Sequence, residues 1–212
     1  ADSTQKSALA GTFQTALTTS VSSSTVISAT DQATIVASIS ASSSSSSTSG
    51  QQYTLTSGVD DITGTGGDDT IVATAAANLG ALDSIDGGVG TDTLTVVAAG
   101  ETFAPASLQN VEVVALSASG TATFNLLSAS GVTTVRSTGS SGAVTFSNVA
   151  ADVTDLEIAN SSAGATVTYS ASAVSGSTDS KNIKLSNMTG GTIAMASVET
   201  LNIESTNAAN TI

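Results

Sequence analysis

The sequence contains no cysteine, histidine or tryptophan, one proline, and four lysines and arginines in 212 residues. Each shortage closes off some chemistry. Without cysteine there is no disulfide framework and no thiol nucleophile, and without histidine the usual general base is missing. The chain is therefore not expected to be an enzyme. Seventeen acids against four bases give a net charge of −13. That charge repels nucleic acid and anionic membrane surfaces. No apolar run is long enough for a membrane-spanning helix, and no basic glycine loop is present to cradle phosphate. Aromatic residues make up only 3%. A globular core organised on aromatic anchors is not expected; a thin, repetitive core of small and β-branched residues fits better.

What remains is rich in Ser, Thr, Ala and Gly, at a length that suggests one domain or two small ones. The chain starts at Ala1 without a basic-then-apolar leader, which reads as a processed product or a fragment. Residues 1–41 form an N-terminal arm or small helical segment. Leu9, Phe13, Ala16, Leu17 and Val21 keep helical spacing, and Ile35, Val36 and Ile39 share a face behind Thr30 as a possible N-cap. Residues 42–50 are almost all serine and read as a flexible linker.

From Tyr53 and Leu55 onward the pattern is β. Val111, Val114 and Leu116 are followed 21 residues on (132 − 111 = 21) by Val132 and Val135. A further 21 on come Val153, Leu156 and Ile158, then Ile183 and Leu185, then Val198, Leu201 and Ile203. Between these strands lie partners at 121–126, 143–146, 166–169 and 192–195, and Phe124, Phe146 and Tyr169 are expected to stack on one face. A unit of about 21–23 residues cannot bury its own apolar face, but stacked units can. The expected fold is all-β: a right-handed parallel β-solenoid or β-roll, with rungs over 51–100 and 101–212. An antiparallel β-sandwich also gives short strands with regular turns; the in-register repeat and the glycine turns favour the solenoid. Lys181 and Lys184 are expected to face the same side on a solvated strand edge, and Arg136 to be a surface charge. The chain stops at Asn210-Thr211-Ile212 without a capping element, so that further protein, or a neighbour, is expected to cover the end.

The most specific chemical signal lies at 59–95. Asp60, Ile62, Gly64, Gly67, Asp69 and Ile71 recur 23 residues later (83 − 60 = 23) as Asp83, Ile85, Gly87, Gly90, Asp92 and Leu94. Asp60, Asp61, Asp68, Asp69, Asp83, Asp86, Asp92 and Glu101 crowd into about a fifth of the chain, a costly arrangement unless a cation neutralises it. Calcium takes carboxylate and carbonyl oxygens, and glycine turns expose carbonyls. Two in-register copies favour a cation over turns merely decorated with acids.

Gly87-Gly88-Val89-Gly90-Thr91-Asp92-Thr93-Leu94-Thr95 resembles the repeats-in-toxin calcium motif G-G-x-G-x-D-x-U-x at every defined position. Gly64-Thr65-Gly66-Gly67-Asp68-Asp69 departs from it at Thr65. Taken with the wider order of segments, from Tyr53 through the two motifs to 110–116 and 197–203, the chain resembles the crystalline region of calcium-stapled surface-layer (S-layer) proteins of Gram-negative bacteria. The resemblance implies carboxylate ligands from Asp60, Asp69, Asp83 and Asp92. It implies backbone carbonyl ligands from Gly64, Gly66, Asp68, Gly87, Val89 and Thr91, around about one to three Ca2+ ions. It implies type I secretion, location at the bacterial cell surface and self-assembly with copies of the same chain. A cell-surface polysaccharide bound through another region is compatible with it. A subunit of an extracellular filament or adhesin, or a noncatalytic calcium-roll domain of a larger secreted protein, is the alternative.

Overall fold

The computed structural model describes residues 49–207 and 209–212. The expected helical arm and nearly all of the serine linker lie outside them. The unit described, Ser49–Ile212, is built from short parallel strands, numbered in chain order, coiled through about seven turns. One sheet has eight strands: β1 (Gln52–Thr54), β3 (Thr70–Ala73), β5 (Thr93–Ala98), β8 (Val113–Ala118), β11 (Thr134–Thr138), β13 (Asp155–Ala159), β15 (Ser180–Ser186) and β17 (Thr200–Thr206). A second has four: β2 (Asp61–Thr63), β4 (Ser84–Asp86), β7 (Ser107–Gln109) and β10 (Ala129–Ser130). A third has five: β6 (Thr102–Phe103), β9 (Ala122–Asn125), β12 (Val144–Val149), β14 (Ala165–Tyr169) and β16 (Ile193–Met195). Every pairing among these strands is parallel, as in a solenoid and not a sandwich. Among the described residues no helix is long and apolar enough to cross a membrane.

The apolar periodicity of the sequence becomes columns of side chains along the axis. In the eight-stranded sheet Tyr53, Ile71, Leu94, Val114, Val135, Leu156, Ile183 and Ile203 stand in register, one per rung. Alternation within each strand turns these residues inward and their neighbours outward. Ile71, Leu94, Val114, Val135 and Leu156 have no exposed surface at all. In the four-stranded sheet Ile62, Ile85, Leu108 and Ala129 also stand in register, with Ile85 and Leu108 fully buried.

Aromatic residues are rare but not peripheral. Phe103, Phe124 and Phe146 form one column in the third sheet and are fully buried, with the Phe103 and Phe124 rings stacked at 6.2 Å. Three aromatics therefore do anchor this core. Tyr169 is not the next member: Val167 follows Phe146, and a register shift in β12 sets Tyr169 against Val149 instead.

The rung length varies more than 21–23. Inter-rung hydrogen bonds join residues 18 apart at the first rung (Gln51 to Asp69), 20 apart between Asp92 and Glu112, and 27 apart between Asp155 and Asn182. The longest step carries an extra loop at 170–179. Just after it, the two lysines part company. Three positions apart on β15, they point to opposite faces, because side chains alternate along a strand. Lys184 lies outside, 3.3 Å from Glu157 and 3.5 Å from Asp155. Lys181 is buried, its ammonium donating to the carbonyls of Ala151 (2.8 Å) and Val153 (3.0 Å) and lying 4.7 Å from the centre of the Tyr169 ring. Backbone carbonyls and a π-face solvate this cation in place of water. Arg136 is the surface charge expected and is paired with Glu157 at 2.6 Å.

The turn after the eight-stranded sheet repeats one backbone conformation. Gly139, Asn160, Asn187 and Asn207 follow in-register strand ends and have φ of 61°, 50°, 55° and 69°. Asparagine tolerates this left-handed region better than most residues. Its amide also reaches the next rung, Asn187 Nδ2 donating to Asn160 Oδ1 at 3.0 Å. Asn160→Val should cost on the order of 1–2 kcal/mol from backbone strain, while Asn160→Gly should cost much less. Urea denaturation followed by circular dichroism would measure both, and equal losses would count against a conformational origin.

Candidate metal centre

The two glycine turns stack directly, one rung apart. Gly64 N–H donates to Asp86 O at 2.7 Å and Val89 N–H to Thr65 O at 3.1 Å. The stacking is close enough that side chains have no room. A Cβ on Gly64 would overlap the carbonyl of Gly87, and one on Gly87 would overlap the carbonyl of Asn110. These glycines are required for close backbone approach.

The four candidate aspartates stand just before strands: Asp60 and Asp83 before those that lead into the turns, Asp69 and Asp92 before those that leave them. They form two pairs. Asp60 and Asp83 meet just before the four-stranded sheet, where Asp60 N–H donates to Asp83 Oδ1 at 2.9 Å. Asp69 and Asp92 meet just before the eight-stranded sheet, where Asp69 N–H donates to Asp92 Oδ1 at 2.6 Å. The second pair extends both ways. Gln51 N–H donates to Asp69 Oδ1 at 2.6 Å, and Asp92 N–H donates to Glu112 Oε2 at 2.8 Å. The acids thus form a ladder, each carboxylate reaching back to the amide one rung earlier. Charge-assisted bonds of this kind are among the stronger ones in a protein. The ladder supplies a metal-free reason for acids at these positions, which spacing alone does not suggest.

Asp69, Asp83 and Asp92 are buried, at 1%, 0% and 0% exposure, and Asp60 is half-buried. Asp83 Oδ2 also accepts from Gly80 N–H at 2.7 Å, and Asp60 accepts from the amide and hydroxyl of Thr56 at 2.8 and 3.1 Å. Asp69 Oδ2 accepts from Thr65 N–H at 2.5 Å. Asp92 differs: its Oδ2 is buried and has no hydrogen-bond partner. Asp68 lies on the outside of the turn, where its Oδ1 accepts from Thr91 N–H at 2.8 Å. Val89 projects its side chain into solvent at 73% exposure, and its backbone carbonyl is the one ligand atom it has. Gly66 stays within the first turn.

Among the described residues no three Asp, Glu, His or Cys side chains converge as a metal-holding group. A cation here would have to draw on carbonyls and water as well as one or two carboxylates, which calcium accepts. The donor chemistry is oxygen throughout, and the buried unpartnered oxygen of Asp92 fits a cation neighbour. Burial pushes the Asp92 carboxyl above its ordinary value of 3.8; the backbone bond from Asp69 opposes this, while the charges of Asp69, Glu112 and Asp68 add to it.

The sign of the pH effect follows. A carboxyl whose folded pKa exceeds its unfolded value holds more protons when folded across the interval between the two. Its contribution is therefore most favourable at low pH and is lost as pH rises through that interval. In chelator, the stability of the wild type relative to Asp92→Asn should fall as pH rises from about 3.8 and then level off. A difference independent of pH, in paired urea titrations, would contradict this.

Glu112 and Asp86 are members of the site that motif reading missed. Glu112 continues the ladder but stands 20 residues beyond Asp92, off the period of the glycine copies. Asp86 accepts from Gly88 N–H at 3.1 Å and Asn110 Nδ2 at 2.8 Å. Its signal was visible: in the first copy Thr63 holds the same register position. No family model, curated protein or solved structure matches the chain.

Proposed function

We propose that the chain is a structural subunit of a self-assembling bacterial surface array of the S-layer kind, secreted and stabilised by calcium. The observation that carries this reading is the in-register stack of parallel rungs, with glycine turns and an acid ladder gathered on neighbouring rungs. Repeated rungs stacked along one axis suit a structural role, and the oxygen-rich chemistry that calcium prefers lies where rung meets rung. The chemistry implied is physical and not catalytic. Calcium, when bound, supplies positive charge to the acidic start of the solenoid, and its binding free energy adds to folding. The protein's own residues do the rest: the glycine turns permit close stacking, the acid ladder ties amide to carboxylate across rungs, and the apolar columns set the register.

Electron microscopy of the purified chain with calcium, and again with chelator, tests the reading. A two-dimensional lattice that appears with calcium and disperses without it is the expected result. Unbranched fibres would favour a filament subunit instead, and dispersed monomers under both conditions would sink the array reading.

A further inference from the structure

Of the four aspartates that begin the strands of the glycine-turn rungs, three spend both carboxylate oxygens on N–H or O–H donors. Asp92 spends one. Its Oδ1 accepts from Asp69 N–H, while Oδ2 is buried and meets no donor.

Comparison of the two turn copies gives the cause. In the first, the amide after the opening glycine, Thr65 N–H, closes onto Asp69 Oδ2. In the second, the matching amide is Gly88 N–H, and it donates to Asp86 Oδ1 instead. The first copy has Thr63 in that place, which offers no carboxylate. Asp86 Oδ1 also accepts from Asn110 Nδ2. Two donors close to the second turn are thereby drawn to Asp86.

What borders Asp92 Oδ2 is another acceptor. A Cβ placed on Gly87 would lie 2.6 Å from Asp92 Oδ2 and would also collide with the carbonyl oxygen of Asn110. Both oxygens therefore lie on the same side of Gly87; Gly64 has the matching pair, Asp69 Oδ2 and the Gly87 carbonyl, but there Thr65 N–H already occupies the carboxylate oxygen. Glu112, on the same rung as Asn110, adds its charge from the amide side of Asp92. A buried carboxylate oxygen beside a carbonyl oxygen, in negative surroundings, is a partial shell for a hard cation, with water completing the coordination. A water molecule donating to both oxygens would satisfy their hydrogen bonding but leave the buried charge uncompensated.

We propose that Asp92 Oδ2 and the Asn110 carbonyl bind a divalent, oxygen-preferring cation across the joint between the second glycine turn and the rung that follows, and that Asp86 creates the site by drawing donors away from it. This rests on the calcium reading above and narrows it. The ion sits beyond the second turn, and Asn110 and Glu112, outside both nine-residue motifs, complete its surroundings. Asp86 is a positioning residue, not a ligand.

Isothermal titration of the chelator-stripped full chain with calcium chloride tests the proposal. The wild type should titrate at a saturable site that Asp92→Asn abolishes. Asp86→Thr, which copies the first turn, should free Gly88 N–H to close on Asp92 and weaken binding roughly 10–100-fold, the usual penalty for a lost supporting residue. Asp86→Asn keeps an acceptor oxygen for Gly88 N–H and should stay far closer to the wild type. Asp69→Asn and Asp83→Asn should lose far less than Asp92→Asn. No calcium uptake by the wild type would overturn the proposal, as would Asp86→Thr titrating normally or Asp69→Asn failing as badly as Asp92→Asn. Circular dichroism of each variant separates lost binding from lost folding; should Asp92→Asn unfold, the two Asp86 variants still decide. Calcium binding at this site without any lattice would leave the proposal standing and sink the array reading, and a lattice from a chain that takes up no calcium would overturn the proposal and leave an array without its calcium.

Discussion

Phe124→Ala is expected to lower the stability of the solenoid by about 3–5 kcal/mol, the usual cost of truncating a fully buried phenylalanine. Phe124 has no exposed surface and stands in the middle of a column, between Phe103 below and Phe146 above. Removing its ring opens a cavity that touches both neighbouring rungs. A solenoid has little means of closing such a gap. Each rung contacts only its neighbours, and its position is fixed by parallel hydrogen bonds along the sheets. Ile203→Ala provides the contrast. Ile203 belongs to an equivalent inward column but is 55% exposed in the last rung, so that its truncation should fall within about 0.5 kcal/mol. Urea midpoints of the two variants would show the gradient. Equal losses would mean that the columns do not carry the stability of the unit.

The second large effect is a reversal. In chelator, Asp92→Asn should melt above the wild type. An asparagine keeps an oxygen to accept from Asp69 N–H and turns the other position into an N–H2 donor beside the Asn110 carbonyl. The buried unpaired oxygen is thereby removed, a defect worth roughly 1–3 kcal/mol, or about 2–4 °C for each kcal/mol in a domain of this size. In saturating calcium the order should invert. The wild type gains about 2.7 kcal/mol at a calcium concentration 100 times its dissociation constant, whereas the variant has lost the charge that holds the ion. Differential scanning calorimetry in the two buffers measures both orders. A variant less stable than the wild type in chelator would show that the Asp92 charge is already compensated by the protein.

The two results bear on one question, how a chain so poor in large side chains and so acidic holds together. The columns supply apolar burial in small, repeated portions. The acid ladder converts part of the charge excess into inter-rung bonds. Where a second acid, Asp86, takes the Gly88 N–H, one buried carboxylate oxygen of Asp92 is left over.

Much of the fold was legible beforehand. The spacing of Val114, Val135, Leu156, Ile183 and Ile203 reports a column directly, because in a parallel solenoid one inward position per rung must be apolar whatever the loops do. The aspartates were legible as a group because glycine turns mark where rungs begin. The errors came where local pattern and stacking part. Tyr169 has the right spacing from Phe146 but falls past a register shift. Lys181 looked like a solvated charge, and nothing in a strand of alternating polar residues reveals that carbonyls of Ala151 and Val153, some thirty positions earlier, converge on its ammonium.

By itself the sequence determined a repetitive all-β chain with glycine turns and acids near Val59–Thr95 and favoured a parallel solenoid over a sandwich, since a repeat of small apolar residues buries its face by stacking; the parallel pairing of every strand decided it. Only the tertiary structure decided which acid oxygens of the glycine-turn rungs are already hydrogen-bonded, and that Asp92 Oδ2 is not. That depends on hydrogen bonds between rungs, whose partners lie 18 to 27 residues apart by varying intervals, and so on how each loop sets one rung upon the next.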